Sequence, residues 1–177
     1  MNLAPSTLHG ILRAAAQMLV KFDDEFLSTQ PAPGKWSPIQ ILGHLTDSAY
    51  NNHRRFLVAA DQDHLRFEGY DQEAWVVRNG YQQRETAEVI ETFRQAQIHL
   101  TEMLYQIPEA LLNRQTREHD FDKMAMRRVE AGAESCLGFL IEDYLFHLVH
   151  HLKQIDPTFS AEWYIGYDKS SDKYRLA

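Results

Sequence analysis

The chain has 177 residues, 44% hydrophobic and 24% charged, with a formal net charge of −7. That length carries one domain with a substantial core, and an acidic balance without a basic tract argues against binding to a nucleic-acid phosphate backbone. The single cysteine, Cys136, excludes an internal disulfide.

No apolar run approaches the ~18 residues that a membrane span needs. The N-terminal stretch MNLAPSTLHG lacks the basic and then apolar layout of a secretory signal. The expectation is a cytoplasmic protein with neither a nucleic-acid nor a membrane partner. The basic pairs Arg54-Arg55 and Arg127-Arg128 are too short to form a patch.

Leu8, Ile11, Leu12, Ala15, Leu19, Phe22 and Phe26 recur at helical spacing and predict a first helix from about Ser6 to Ser28, stopped by Pro31-Ala32-Pro33-Gly34. Ser37-Pro38-Ile39-Gln40 then sets Ser at N-cap, Pro at N1 and Gln at N3, the pattern of a capping box. This second helix should reach about Ala60. Residues 62–84 read as a long connection with one short helix near Gln72–Val77. Its aromatic residues Phe67, Tyr70, Trp75 and Tyr81 point to packing over a functional feature.

A third helix is predicted over Thr86–Gln106, with Val89, Phe93, Ala96, Leu100 and Leu104 as its apolar stripe and Pro108 beyond its end. Residues 107–131 are polar, with a loop or short helix near Pro108–Asn113. A fourth helix is predicted over Ala133–Ile155, with Cys136 inside it as a small core residue and Pro157 as a stop. From about residue 157 the tail, with Trp163, Tyr164 and Tyr167, has no periodicity and either lies on the bundle or reaches a neighbouring subunit. No segment alternates as a strand would. The expected architecture is all-α: a single domain over residues 1–177, built as a four-helix bundle with long connections.

The fourth helix carries His147, His150 and His151. Residues four apart share a helix face with Cβ atoms ~5–6 Å apart, so His147 and His151 can converge on one ion, with His147 and His150 the next-best pair. Imidazole suits zinc, nickel, copper and iron. The pair on its own also fits a polar face turned to a pocket. Two ligands rarely suffice, and the second helix offers His44. Ser48, Asn51 and Arg55 lie close to its direction and Asp47 beside it. On the fourth helix Asp143 and Gln154 align with His147, as candidates to orient a ligating imidazole.

His9, His53, His64, His99 and His119 read as surface or structural residues. His-Glu-x-x-His, paired Glu-x-x-His, Cys-x-x-Cys, a P-loop, Gly-x-Gly-x-x-Gly and Gly-x-Ser-x-Gly are all missing. The corresponding protease, di-iron, zinc-ribbon, nucleotide and serine-hydrolase readings do not apply.

Lys35-Trp36-Ser37-Pro38-Ile39-Gln40-Ile41-Leu42-Gly43-His44-Leu45-Thr46-Asp47 resembles the second-helix signature of the DinB/YfiT-like superfamily. His147-x-x-His150-His151-x-x-Gln154-Ile155 resembles its fourth-helix signature, and Tyr70-Asp71-Gln72-Glu73-Ala74-Trp75 a connection found in some members. The resemblance implies an up-down-down-up bundle, often dimeric, that holds one divalent ion, nickel or zinc, through His44, His147 and His151. His150 is then the neighbour that does not ligate. It further implies metal-dependent hydrolases, or transferases that use a low-molecular-weight thiol, acting on a small molecule.

Three imidazoles leave at least one coordination position open, where an ion can activate water or a thiol. Asp47, Asn51, Arg55 and Asp143 are the candidates to orient ligands or bind an anionic group, and Trp75 and Tyr81 to wall the pocket. The alternative is a non-catalytic, metal-stabilised binding module. Its ion would be closed off by a fourth protein ligand such as Asp47 or His150.

Overall fold

Ser37 and Gln40 form the expected capping box. In the computed structural model, which describes residues 4–161, the Ser37 side chain accepts the Gln40 amide and Gln40 Oε1 accepts the Ser37 amide at 3.0 Å. Pro38 sits at the helix start, where its missing N–H leaves nothing unsatisfied. The helix launched there is the third of eight α-helices among the described residues. They are α1 (Ala4–Leu19), α2 (Asp24–Ser28), α3 (Pro38–Val58), α4 (Gln72–Arg78), α5 (Thr86–Gln106), α6 (Glu109–Leu112), α7 (Phe121–Met124) and α8 (Leu137–Ile155). A 3₁₀ turn, Tyr81–Gln83, lies between α4 and α5.

The long helices α1, α3, α5 and α8 make the bundle, with α3 and α1 each packed between α5 and α8. Pairwise contacts give their directions. Ser37 donates to Gln82 at the start of α3 and α5, His53 stacks on His99 further along, and Arg114 beyond α5 donates to the Ala59 carbonyl at the end of α3. These two helices therefore run parallel, which is why a long connection separates them. Tyr144, early in α8, meets Phe56 late in α3, while His147 and His151 meet His44. So α8 runs antiparallel to α3. His9 against Tyr105 sets α1 antiparallel to α5. The path is up-down-down-up.

Leu8 and Ile11 from α1, Leu42 and Leu45 from α3, Leu100 and Leu104 from α5, and Ile141 and Leu148 from α8 are fully buried at the bundle centre. Each such side chain contributes roughly 1.5–3 kcal/mol of hydrophobic stabilisation. One polar chain crosses this core. Tyr144 donates to Gln97 Oε1 at 2.6 Å, and Gln97 Nε2 donates to the Leu45 carbonyl at 3.2 Å. No helix among the described residues is long and apolar enough to cross a membrane.

Two helix boundaries differ from the sequence reading. The first predicted helix is broken: α1 stops at Leu19, and Asp23 caps α2 by accepting the Phe26 amide at 2.8 Å. A short carboxylate side chain gives the backbone a local acceptor that competes with helix continuation. The apolar stripe survives the break, with Phe22 and Phe26 stacked at 4.2 Å.

The fourth helix starts at Leu137, not Ala133, and Cys136 is its extended N-cap residue, buried but outside the helix proper. Ser135 is held back by a two-way backbone pairing with Thr116, at 3.0 and 2.8 Å. A second pairing, the Leu65 amide to the Glu118 carbonyl at 2.8 Å, ties the 59–71 connection to the 113–136 one. The short helix near 108–113 is present as α6, and α7 is additional. It is anchored by fully buried Phe121. Trp163, Tyr164 and Tyr167 lie outside the described residues.

Candidate metal centre

The antiparallel contact of α3 with α8 brings His44 against His147 and His151. Ring centroids are 5.2 Å apart for His44–His147, 4.6 Å for His44–His151 and 4.5 Å for His147–His151. One ring nitrogen from each lies within 4.8 Å of the other two. His44 Nε2 and His147 Nε2 are 3.2 Å apart. Nitrogens at ~2.0–2.1 Å from a tetrahedral ion sit about 3.3 Å from each other, so this spacing fits a shared ion.

The electrostatics fit as well. Burial, and then the neighbouring His151, lower the His44 pKa to about 3. Burial drives His147 well below its ordinary value, reinforced by the surrounding imidazoles. Burial also lowers His151, opposed by its bond to Gln154. All three rings are therefore neutral at pH 7 and carry the lone pair that ligation requires. Without an ion, His44 and His147 can share a single N–H···N bond, and the Nδ1 atoms of both are buried with no partner. An ion between the rings would take both Nε2 lone pairs at once.

His151 is oriented from behind. Its Nδ1–H donates to Gln154 Oε1 at 2.9 Å, which leaves Nε2 as the lone-pair nitrogen, and Gln154 Nε2 donates to His150 Nε2 at 3.1 Å. Gln154 thus serves His151, one turn away, rather than His147, two turns away. His150 is exposed and stands outside the cluster. Trp36 covers the rings, 5.0 Å from His44 and 6.4 Å from His151. The sequence reading missed this role, although the position just before the Ser37 cap was a usable signal. Gly43 was also missed: a Cβ there would overlap the Tyr81 ring, so glycine lets that ring lie flat on α3 beside His44.

The candidate polar residues separate. Asp47, one turn beyond His44, is buried, and its Oδ1 accepts from Asn79 Nδ2 at 2.9 Å and from the Tyr81 hydroxyl at 2.8 Å. Its Oδ2 is buried without a partner. Burial raises the pKa of Asp47 against the lowering effect of those two bonds. Asn51 and Arg55, two and three turns from His44, hold the connection in place. Arg55 donates to the Glu68 carbonyl at 2.8 Å, and the Asn51 amide oxygen turned toward Arg55 accepts from it at 3.1 Å.

Asp143 takes the Met126 and Arg127 amides at 2.9 and 2.7 Å and anchors the segment after α7; it makes no bond to His147. A cleft of about 390 Å³ opens beside Asp47, lined also by Trp75, Arg78 and Asn79. Trp75 lines this cleft, with Tyr70 against its ring at 4.5 Å, whereas Tyr81 acts through its bond to Asp47.

Among curated proteins none matches this sequence. The solved structure of YfiT from Bacillus subtilis, described as a probable metal-dependent hydrolase with an unusual four-helix bundle topology, is similar to this fold. Its TM-score is 0.68 at 18% identity, and the match covers 93% of this chain and 87% of that one. The sequence profile of the DinB superfamily matches residues 8–155, which include both histidine-bearing helices. The chain belongs to the DinB superfamily.

Proposed function

We propose that this protein is a metal-dependent enzyme that acts on a small molecule, with His44, His147 and His151 holding one divalent ion, nickel or zinc. The observation that carries the reading is a convergence of three neutral imidazoles with no fourth protein ligand among the described residues. The two side chains expected to close such a site stand outside the converging set: His150 accepts from Gln154, and Asp47 takes Asn79 and Tyr81 on its Oδ1. Closed tetrahedral sets are the mark of structural ions, and three protein ligands with an open position that of catalytic ones.

A divalent ion bound there supplies Lewis acidity and lowers the pKa of a protic nucleophile. The chain's own part is to keep three rings neutral by burial, to hold the His151 tautomer through Gln154, and to cover them with Trp36. Hydrolysis is the leading reaction, in line with the description of YfiT. Transfer of a low-molecular-weight thiol is its rival. The proposal includes a cytoplasmic location and a homodimer, with exposed Tyr50 and Leu57, two turns apart on α3, available to the second copy.

The test starts with untagged protein reconstituted with nickel or zinc and assayed by elemental analysis. About one equivalent is expected for a single site, and less than about a tenth of an equivalent overturns the proposal. The loaded protein is then assayed on ester and amide panels, and on electrophilic acceptors with and without added thiol. Turnover that requires the thiol replaces hydrolysis with transfer. Light scattering on the loaded protein reads the dimer directly.

A further inference from the structure

The cleft beside Asp47 has two chemically distinct ends. At the inner end stands Asp47, 5% exposed. Its Oδ1 is saturated by Asn79 and Tyr81, and its Oδ2 is buried with no partner. An unmet buried acceptor is costly enough to call for an explanation. Asn79 spends its Nδ2 on Asp47, so its own Oδ1 is left as an acceptor. That end therefore presents two acceptors, one of them from a carboxylate, against the single remaining N–H of the Asn79 amide. A donor-rich group matches this excess of acceptors.

The outer end carries Arg78, which is exposed and makes no ion pair among the described residues. Its planar guanidinium matches a carboxylate bidentately. Trp75, which also lines the cleft, offers an indole face, to which a cation or an aliphatic chain is attracted. Arg55 does not line the cleft, and its guanidinium donates to the Glu68 carbonyl. A volume of about 390 Å³ suits a compact ligand. Asp47 and His44 are three residues apart on one helix, with Cβ atoms ~5–6 Å apart, so a group held at Asp47 lies next to the histidine cluster.

We infer that this cleft recognises a compact zwitterion of the amino-acid type, with its ammonium group at Asp47 and Asn79, its carboxylate at Arg78 and its carbon chain on Trp75. This deepens the metal-enzyme reading by naming the substrate class. It rests on that reading only for the position of the reacting group.

The test uses four hydroxamates, which chelate divalent ions, titrated by calorimetry into nickel-loaded protein. Acetohydroxamate is the neutral reference, β-alanine hydroxamate adds an amine, succinate monohydroxamate adds a carboxylate, and aspartate β-hydroxamate carries both. The last should bind about tenfold or more tighter than the reference, one well-placed charged contact being worth about that factor. Arg78→Ala should remove most of the advantage of the two carboxylate probes and leave the other two unchanged. Asp47→Asn should do the same to the two amine probes. Equal affinity for all four, or an Arg78→Ala loss shared by all four, overturns the inference.

Arg78 is exposed, so its variant keeps the test valid even where Asp47→Asn fails to fold. Saturation-transfer NMR of metal-free protein with L-asparagine reads the cleft without the ion. Signal there that Arg78→Ala abolishes supports the zwitterion site even if no hydroxamate binds, an outcome that would sink only the metal centre. Silence in both arms sinks the zwitterion site.

Discussion

Asp47 and Asp143 are equally buried, each 5% exposed, and each sits on a helix that carries histidines of the candidate metal centre. Burial raises the pKa of both. Their use is opposite. Asp143 fills both oxygens with the backbone amides of Met126 and Arg127 and adds the Arg127 Nε at 3.4 Å, so its charge is spent on pinning a loop. Asp47 crowds both of its bonds onto one oxygen and leaves the other empty beside a cleft. A buried carboxylate satisfied on every side holds structure together. One satisfied on a single side keeps an acceptor in hand, the one to which the proposed zwitterion would donate.

Removal of the first carboxylate should have the largest effect. Asp143→Ala leaves the Met126 and Arg127 amides without their acceptor and should cost about 3–5 kcal/mol in urea unfolding, while the folded fraction keeps the metal affinity of the parent. A loss below about 1 kcal/mol would mean that the loop does not depend on it.

His151→Ala comes next. It should lower metal affinity by about a hundredfold or more, roughly 2.7 kcal/mol, with metal-free stability changed by less than about 1 kcal/mol. Collapse of the fold instead would point to the structural-ion alternative. Gln154→Ala removes the bond that sets the His151 tautomer and should weaken metal binding by about tenfold. Calorimetry showing unchanged affinity would break the link between Gln154 and the site.

The smallest effect is expected of Asp47→Asn. It preserves shape, keeps an oxygen for Tyr81 and removes a charge whose second oxygen has no partner, so stability should move by less than about 1 kcal/mol. A loss as large as that of Asp143→Ala would erase the distinction between the two carboxylates.

What was legible in the sequence follows the range of the forces involved. The Ser37–Gln40 capping box and the His147/His151 pair were readable because their partners lie within a turn, where helix geometry alone sets the distance. The third histidine was not, since His44 is 103 residues from His147 and only packing of α3 on α8 brings their nitrogens together. It entered through the family resemblance. The break before Asp23 was a local signal, an N-cap carboxylate, that the continuing apolar stripe outweighed. The late start of α8 had no local signal at all, because Thr116 holds Ser135 from across the loop.

By itself, then, the amino-acid order determined the helices, their apolar faces and the two-histidine turn of α8, because backbone hydrogen bonds and side-chain periodicity act over three or four residues. Tertiary structure decided which polar side chains face the same space. Asp143 shares a helical face with His147 in projection, yet it bonds the backbone at residues 126 and 127. Asp47 reaches the cleft only because Tyr81 lies flat on Gly43 and Asn79 closes over it. The direction of a buried charge is set by whichever donors packing delivers to it. Those donors came from segments 16 to 34 residues away, beyond the reach of any helical period.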